Sequence, residues 1–330
     1  MNSTERRRKM NPEPRRRRRR RRRSRILAIC TVIEILVVIT LVAAVGWKAG
    51  LGNWVANLRN PAVQELDLSG INSPYAALMQ ARSGKVIGEI QGTERMYPAS
   101  LTKIMTAIVA IEELGNLDQE ITLTNEMVAG LYAQDASQAG FQPGENVRAI
   151  DLLYGVMLPS GAECCIALAD TIAGSEAGFV ELMNAKAEKL KMTGTHFMDS
   201  TGLHDPEHYS TAEDMAVLLR YALKNDTFRE IIESPWHSTP GTNIHPDGIT
   251  YYSTMFKNLS STAVTDGEIK GGKTGFTSAA GCCLASFAQI GGTEYILVTA
   301  GAMQGGTPHI NDAVTVYNRL GEAALALESK

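Results

Sequence analysis

The sequence predicts an α/β domain in which an antiparallel sheet is flanked by helices and carries an all-helical subdomain, with a transmembrane helix ahead of it. Two observations predict the domain: strand patterns occur near its start and its end, and helix patterns fill the stretch between them. A third observation, an unbroken apolar run near the N-terminus, predicts the membrane span. The 330 residues suffice for one large domain or two smaller ones.

The charge of the chain is divided between two regions. Residues 1–25 carry 13 Arg and one Lys against two Glu, a net charge of +12, whereas the other 305 residues hold 18 basic and 33 acidic side chains, a net charge of -15. An arginine run such as 15–23 is also typical of a nucleic-acid-binding arm. The apolar run that follows it favours a membrane topology signal instead, so we predict a basic cytoplasmic tail over 1–25 and no nucleic-acid partner.

Residues 26–47 are almost uninterruptedly apolar. At 1.5 Å per residue, a helix of this length spans roughly 33 Å, which matches the hydrocarbon core of a bilayer. The arginine-rich flank predicts a cytoplasmic N-terminus, with everything after Lys48 outside the cytoplasmic membrane. No Ala-x-Ala cleavage site follows, so an uncleaved single-pass anchor is favoured over a signal peptide.

The remaining elements follow from pattern and punctuation. Residues 48–70, which contain Pro61 and no sustained periodicity, are predicted to be a linker, and 71–330 the folded domain. A hairpin is predicted at 75–80 and 86–90, and a helix begins at Ser100 with Gly115 as its C-cap. Four further helices are predicted at 150–158, 164–172, 175–190 and 212–225. Three strands are predicted at 269–275, 282–289 and 295–302, and a last helix at 311–327.

Ser100-Leu101-Thr102-Lys103 places a hydroxyl and an amine on one face of this helix, because residues three apart are neighbours there. A serine hydroxyl becomes a nucleophile when a base takes its proton. Burial and a second nearby cation, such as Lys273, would favour the neutral amine that a base requires. The first turn of a helix also offers free N–H groups that hold an oxyanion. An ordinary exposed serine and lysine on a helix give the same pattern, so Ser-x-x-Lys indicates catalysis only together with further motifs.

The second and third motifs are Ser160-Gly161 and Lys273-Thr274-Gly275. An ammonium followed by a hydroxyl on a strand suits a substrate carboxylate, and the glycines allow a substrate backbone to approach the strand edge. Ser-x-x-Lys, a second serine motif and Lys-Thr-Gly, in this order, form the motif set of penicillin-binding proteins and serine β-lactamases.

Over about residues 70–305 the chain resembles the serine-type D-Ala-D-Ala carboxypeptidases, the low-molecular-weight penicillin-binding proteins of the S11 peptidase family. The resemblance rests on three stretches, 98–107 around Ser100, 158–170 around Ser160, and 201–216. It implies a β-lactamase/transpeptidase-like fold and no cofactor or metal. It also implies a substrate, the D-Ala-D-Ala end of peptidoglycan pentapeptide stems, and inhibition by β-lactams.

The resemblance further implies a role for each motif residue. Ser100 is the acyl-enzyme nucleophile, Lys103 its general base, and Ser160 helps to carry a proton to the leaving D-alanine. Lys273 and Thr274 bind the terminal carboxylate, Gly275 belongs to the same binding strand, and the N–H groups of Ser100 and Phe276 form the oxyanion hole.

One departure from the family pattern concerns the second motif, which usually reads Ser-x-Asn. This chain has Ala162 at the asparagine position, and losing one buried polar partner costs about 1–3 kcal/mol. Two alternatives stay open: a serine β-lactamase, although no Glu-x-x-Leu-Asn motif occurs in the sequence, and a non-catalytic wall-binding protein with the same fold.

The cysteines and histidines leave further alternatives. Cys30 falls in the predicted span, whereas Cys164-Cys165 and Cys282-Cys283 are vicinal pairs for which one bridge or four buried thiols are equally compatible with the sequence. His204 and His208 have the helical zinc spacing. Because Pro206 separates them, a loop with structural histidines is favoured over a metal site.

Overall fold

The structure is a computed structural model, and it describes residues 63–303 and 305–329. The predicted tail (1–25), the predicted anchor (26–47) and most of the predicted linker (48–70) lie outside the described residues. Within those two ranges, no helix is both long enough and apolar enough to cross a bilayer. The tail, the span and the topology therefore stay predictions.

A six-stranded antiparallel sheet organises the described part of the chain. The strands, in chain order, are β1 (Tyr75–Gln80), β2 (Val86–Ile90), β3 (Glu120–Thr122), β4 (Asn146–Arg148), β5 (Trp236–Ser238), β6 (Thr250–Tyr252), β7 (Ala263–Val264), β8 (Gly267–Thr277), β9 (Gly281–Ile290) and β10 (Thr293–Ala302). The sheet has the order β2-β1-β10-β9-β8-β7, and β3-β4 and β5-β6 form two small separate sheets. The first hairpin and the three late strands are thus confirmed.

The helices lie around this sheet, most of them between its first and last strands in the chain. They are α1 (Lys103–Glu113), α2 (Asn125–Val128), α3 (Ala149–Met157), α4 (Ala162–Ala173), α5 (Glu176–Lys189), α6 (Ala212–Ala222), α7 (Asp226–Glu233), α8 (Thr254–Asn258) and α9 (Pro308–Glu328). Helix α1 is buried from Lys103 to Ile111, so it forms the centre of the molecule rather than its surface.

Both faces of the sheet are covered by helices. Successive side chains of β1 point to opposite faces and pack in two different cores. Ala76 and Leu78 belong to the core cluster shared with α9, whereas Ala77 and Met79 belong to the cluster shared with α1, α6 and α7. Strand β9 is accordingly buried along nearly its whole length, which explains why it reads as a continuous apolar run.

The subdomain between β2 and β7 was predicted to be all-helical, and this was wrong because two short strand pairs, β3-β4 and β5-β6, occur in that stretch. Strands β3 and β4 pair in it as a small antiparallel sheet. Each has only three residues, whereas alternation becomes readable over about four to eight. Two of the helices begin as predicted: the Ser175 hydroxyl caps α5 by accepting from Gly178 N, and Thr211 caps α6 by accepting from Asp214 N.

Helix α1 ends slightly earlier than its predicted cap. It stops at Glu113 because Leu114 has an extended backbone, so Gly115 lies just beyond the helix. At the other end of the sheet, residues 63–68 pack on the domain. Val63 and Leu68 are buried, and Leu66 N donates to the carbonyl of Ile87 at 2.7 Å.

Candidate active site

Ser100 lies in a 3₁₀ turn, Ala99–Thr102, that leads directly into α1. The turn begins with left-handed backbone at Ala99, whose φ is +47°, a conformation that costs a non-glycine residue about 1–3 kcal/mol. Strand β8 approaches the turn so closely that a Cβ on Gly275 would lie 2.9 Å from Ser100 N. The glycine of the Lys-Thr-Gly motif therefore permits contact between the strand and the serine.

The amine of Lys103 lies beside this serine. Lys103 Nζ is 3.2 Å from Ser100 Oγ, as the helical spacing predicts. It also donates to the carbonyl oxygen of Thr201 at 2.6 Å, and the lysine is only 2% exposed. Ser100 itself is partly exposed, so the pair combines a reachable hydroxyl with a buried amine.

Lys273 and Thr274 stand on β8, the strand that borders the serine turn. Lys273 is fully buried and donates to the carbonyl of Thr274 at 2.8 Å. Burial, helped by the nearby Lys103 amine, holds the pKa of Lys273 well below that of a free lysine. The Thr274 hydroxyl is 2.5 Å from the hydroxyl of Thr254, and Phe276 further along the strand is 66% exposed.

The second motif is joined to this strand through Thr254. Thr254 N donates to Leu158 O at 3.1 Å, and Leu158 lies two residues before Ser160. Ser160 has left-handed backbone with φ +71°. Its Oγ is buried without a hydrogen-bond partner among the described residues. Ala162, the first residue of α4, is buried as well.

A buried carboxylate that the sequence analysis missed supports the Ser160 turn. Glu163 Oε1 accepts from Ala139 N at 2.6 Å and from Gly140 N at 2.8 Å. A Cβ on Gly161 would lie 2.9 Å from Ala139 Cβ, so this loop covers the turn directly. Burial raises the pKa of Glu163. No signal singled it out, because an acidic residue in a first helical turn is ordinary.

The histidines and cysteines have structural surroundings. His204 and His208 lie in a loop, as Pro206 predicts; the first packs edge-on against Tyr97 and the second is buried. All four described cysteines are free buried thiols, so the bridge between the two pairs is absent from this structure. Among residues 63–303 and 305–329, no cluster of His, Cys, Asp and Glu is arranged to hold a metal ion.

A sheet covered by helices, with a Ser-x-x-Lys pair facing a Lys-Thr-Gly strand, defines the class of Ser-Lys serine peptidases with a penicillin-binding-protein fold. Residues 62–304 match the family model of peptidase S11, described as D-alanyl-D-alanine carboxypeptidase. This chain belongs to the S11 family of D-alanyl-D-alanine carboxypeptidases.

Curated relatives agree with this family. The chain is 35% identical over 251 residues to D-alanyl-D-alanine carboxypeptidase DacC of Escherichia coli, covering 73% of this chain and 59% of the relative. It is 32% identical over 232 residues to DacF of Bacillus subtilis, covering 69% and 57%. The chain thus spans less than two thirds of the length of these relatives.

Solved structures show the same fold. The Streptomyces K15 DD-transpeptidase is 26% identical with a TM-score of 0.67, covering 78% of this chain and 98% of that one. A D-alanyl-D-alanine carboxypeptidase from Mycobacterium tuberculosis is 25% identical with a TM-score of 0.68, covering 80% and 95%.

Proposed function

We propose that this protein is a membrane-anchored serine D-Ala-D-Ala carboxypeptidase that removes the terminal D-alanine from peptidoglycan stem pentapeptides. The observation that carries the proposal is the 3.2 Å contact between Ser100 Oγ and the buried amine of Lys103, at the point where Gly275 of β8 meets the serine turn. The relatives named above support the substrate class.

The reaction is an acyl transfer in two steps. Lys103 takes the proton of Ser100 as Oγ attacks the carbonyl carbon of the penultimate D-alanine. The C–N bond then breaks, the leaving amine receives a proton, and the acyl group remains on Ser100. Water hydrolyses this ester and restores the hydroxyl. The N–H groups of Ser100 and Phe276 are proposed to stabilise the oxyanion in both steps.

Lys273 and Thr274 are proposed to bind the carboxylate of the leaving D-alanine. The lowered pKa of Lys273 reflects burial beside a second amine, and its hydrogen bond within the described part of the chain goes to the uncharged Thr274 carbonyl. A substrate carboxylate would supply the missing opposite charge and favour the ammonium form. The substrate would thereby complete the charge balance of its own site.

Ser160 is proposed to pass the proton to the leaving amine. Its buried Oγ has no partner in the described part of the chain, so its donor and acceptor are available to a bound substrate. Ala162 supplies no hydrogen bond at the position where relatives have asparagine. A missing partner worth about 1–3 kcal/mol would slow acylation roughly 5–150-fold without abolishing it.

The anchor and the location are parts of the same proposal. Residues 26–47 would hold the chain in the cytoplasmic membrane, with the tail 1–25 inside and the catalytic domain outside, where peptidoglycan lies. β-Lactams would acylate Ser100, because they present a strained amide to the same nucleophile.

The test uses the full chain in detergent, a fluorescent penicillin and a D-Ala-D-Ala pentapeptide. We expect a lasting covalent adduct and release of D-alanine from the wild type, and neither from Ser100→Ala. Ser83→Ala, at an exposed turn residue, is the matched control and should behave as wild type.

Three other outcomes would contradict the proposal in different ways. Rapid penicillin turnover without a lasting adduct would indicate a β-lactamase. Absence of both adduct and D-alanine release from the wild type would indicate a non-catalytic wall-binding protein. Equal D-alanine release by the wild type and Ser100→Ala would remove Ser100 from the mechanism.

A further inference from the structure

The segment 199–208 contacts the start of α1 and the residue before it through three polar side chains, those of Thr102, Lys103 and Thr106. Thr106 Oγ1 donates to Ser200 O at 2.6 Å, Lys103 Nζ donates to Thr201 O at 2.6 Å, and Thr102 Oγ1 is 2.8 Å from His208 Nε2. The segment contains no helix or strand, and two isolated bridges, His196–Tyr209 and Met96–Ser210, lie just outside it. Something other than regular secondary structure must therefore fix the Thr201 carbonyl.

The carboxylate of Asp199 holds this segment in place. Its Oδ1 accepts from Thr201 N at 2.6 Å, from Thr201 Oγ1 at 2.9 Å and from Gly202 N at 2.6 Å. Its Oδ2 lies 3.5 Å from His208 Nδ1. Burial works to raise the pKa of Asp199, but His208 and the two N–H groups outweigh it and hold that pKa below its usual value.

The turn that contains Thr201 and Gly202 also packs closely against Ala99, the residue that precedes Ser100. Gly202 has φ +81°, and a Cβ there would lie only 1.9 Å from Ala99 O. The turn is thus fixed at one end by Asp199 and at the other by contact with the left-handed Ala99. Any movement of the Thr201 carbonyl would be resisted on both sides.

We propose that Asp199 is a positioning residue for the reaction: it fixes the Thr201 carbonyl so that the Lys103 amine presents its lone pair to Ser100. A neutral amine has two N–H groups and one lone pair, so an acceptor for one N–H restricts where the lone pair points. The same carbonyl stabilises the ammonium formed when Lys103 takes the serine proton. His208 is the second anchor, through Thr102. This inference rests on the proposed function.

A purely structural role would reduce only the amount of folded enzyme, so the test counts active sites. Full-length protein is titrated with fluorescent penicillin, and kcat and KM for D-alanine release are expressed per titrated site. Removing a residue that orients a reacting group typically lowers activity about 10–100-fold. We expect Asp199→Ala to lower kcat per site by about 10–100-fold. KM should stay within about twofold, because Lys273 and Thr274 are untouched.

Asp199→Asn keeps an acceptor oxygen and should retain kcat within about fivefold of the wild type. Asp67→Ala is the matched control, because Asp67 makes a similar turn with Ser69 N (2.8 Å) and Ser69 Oγ (2.7 Å) at an exposed position. Its kcat per site should be unchanged.

Wild-type kcat per site in Asp199→Ala would overturn the proposal, as would equal losses in the Asn and Ala variants. If Asp199→Ala does not fold, Thr102→Val decides: a lower kcat per site supports the proposal, and an unchanged one overturns it. Failure of the proposed function is a separate result, since the wild type itself would then release no D-alanine.

Discussion

At the scale of single residues, the site combines backbone strain with close packing. Ala99 and Ser160 both have left-handed backbone, each at a cost of about 1–3 kcal/mol. Strain of this kind persists only where the surroundings hold it. Here Gly202 and Gly275 pack against the serine turn, and the 139–140 loop packs against the Ser160 turn.

Gly275→Ala tests the close contact between β8 and the serine. The added methyl would lie 2.9 Å from Ser100 N, so strand or turn must shift, and a shift approaching 1 Å at a nucleophile can cost about 10²-fold in rate. We expect penicillin acylation to fall by about that factor, measured as the second-order rate. Gly115→Ala, where nothing lies within 4 Å of the new methyl, is the control; equal rates in all three proteins would contradict the contact.

Lys273→Met tests the cost of the buried amine. Because folding lowers the pKa of Lys273 from 10.5, the folded chain binds fewer protons than the unfolded chain between the lowered value and 10.5. Stability therefore rises with pH through that window. We expect the variant to be more stable by about 1–2 kcal/mol at neutral pH, with a flatter rise toward alkaline pH in thermal unfolding.

The same variant should release no D-alanine, because the proposed carboxylate partner is gone. Lys270→Met, at a partly exposed lysine of the same strand, should change stability by less than about 0.5 kcal/mol. A Lys273→Met protein that is less stable than the wild type would refute the burial argument.

At the scale of elements, the β5-β6 hairpin is fixed to α3 by a buried carboxylate. Asp151 accepts from Arg148 Nε at 2.7 Å, contacts His237 Nε2 at 2.7 Å, and is only 1% exposed. His237 also stacks on Tyr154, with ring centroids 3.7 Å apart. Strand β6 leads into α8, whose first residue is Thr254. The contact between Asp151 and His237 therefore helps to position Thr254, whose hydroxyl meets that of Thr274.

Asp151→Asn tests the contacts of this buried carboxylate with Arg148 and His237. Burial works to raise the pKa of Asp151, but His237 and Arg148 outweigh it, so the folded value lies below 3.8. The carboxylate therefore contributes stability above about pH 3.8, and this is lost as pH falls through the folded pKa. We expect a loss of about 1–3 kcal/mol at pH 7 in chemical unfolding, shrinking toward zero as the pH falls through the folded pKa of Asp151.

Asp118→Asn is the matched control for this carboxylate, because Asp118 lies 3.8 Å from the same arginine but is 82% exposed. Its effect should be below about 1 kcal/mol. A loss in Asp151→Asn that stays the same from pH 7 down through the acid titration of the carboxylate would mean that charge is not the stabilising factor.

At the scale of the whole molecule, the covered sheet organises the described part of the chain, and the four cysteines of that part form no disulfide. Two cores lie on opposite faces of one sheet; Cys164, Cys165 and Cys283 belong to one of them, and Cys282 is buried as well. Burial raises the pKa of Cys165 and Cys283 to about 12, so these thiols are poor nucleophiles in the folded state.

Thiol titration tests this arrangement in a full-length Cys30→Ser variant. We expect four thiols to react after denaturation without any reductant, at most one to react in the native protein, and no change of the melting temperature with reductant. Two or fewer thiols in the denatured, unreduced protein would show that a disulfide forms.

Much of the fold followed from patterns that repeat over many residues. The long strands and helices were predicted because a period of two or 3.6 is read over a whole element. The short pairs β3-β4 and β5-β6 were missed because three residues carry no readable period. The Asp199 turn did leave a signal, since Asp199-Ser200-Thr201-Gly202 combines an aspartate, whose side chain commonly bonds the backbone two residues on, with a glycine that tolerates a turn.

The sequence alone determined the family and singled out the candidate site residues: Ser100, Lys103 and Lys273 were predicted because their spacing and types are local properties of the chain. Only the tertiary structure decided how the amine is oriented, which carbonyl receives its N–H, and that Ala99 and Ser160 are strained. The partner of Lys103 lies 98 residues away, and it is a backbone carbonyl. Every residue has one, so no residue type could mark it; folding alone selects which carbonyl reaches the amine.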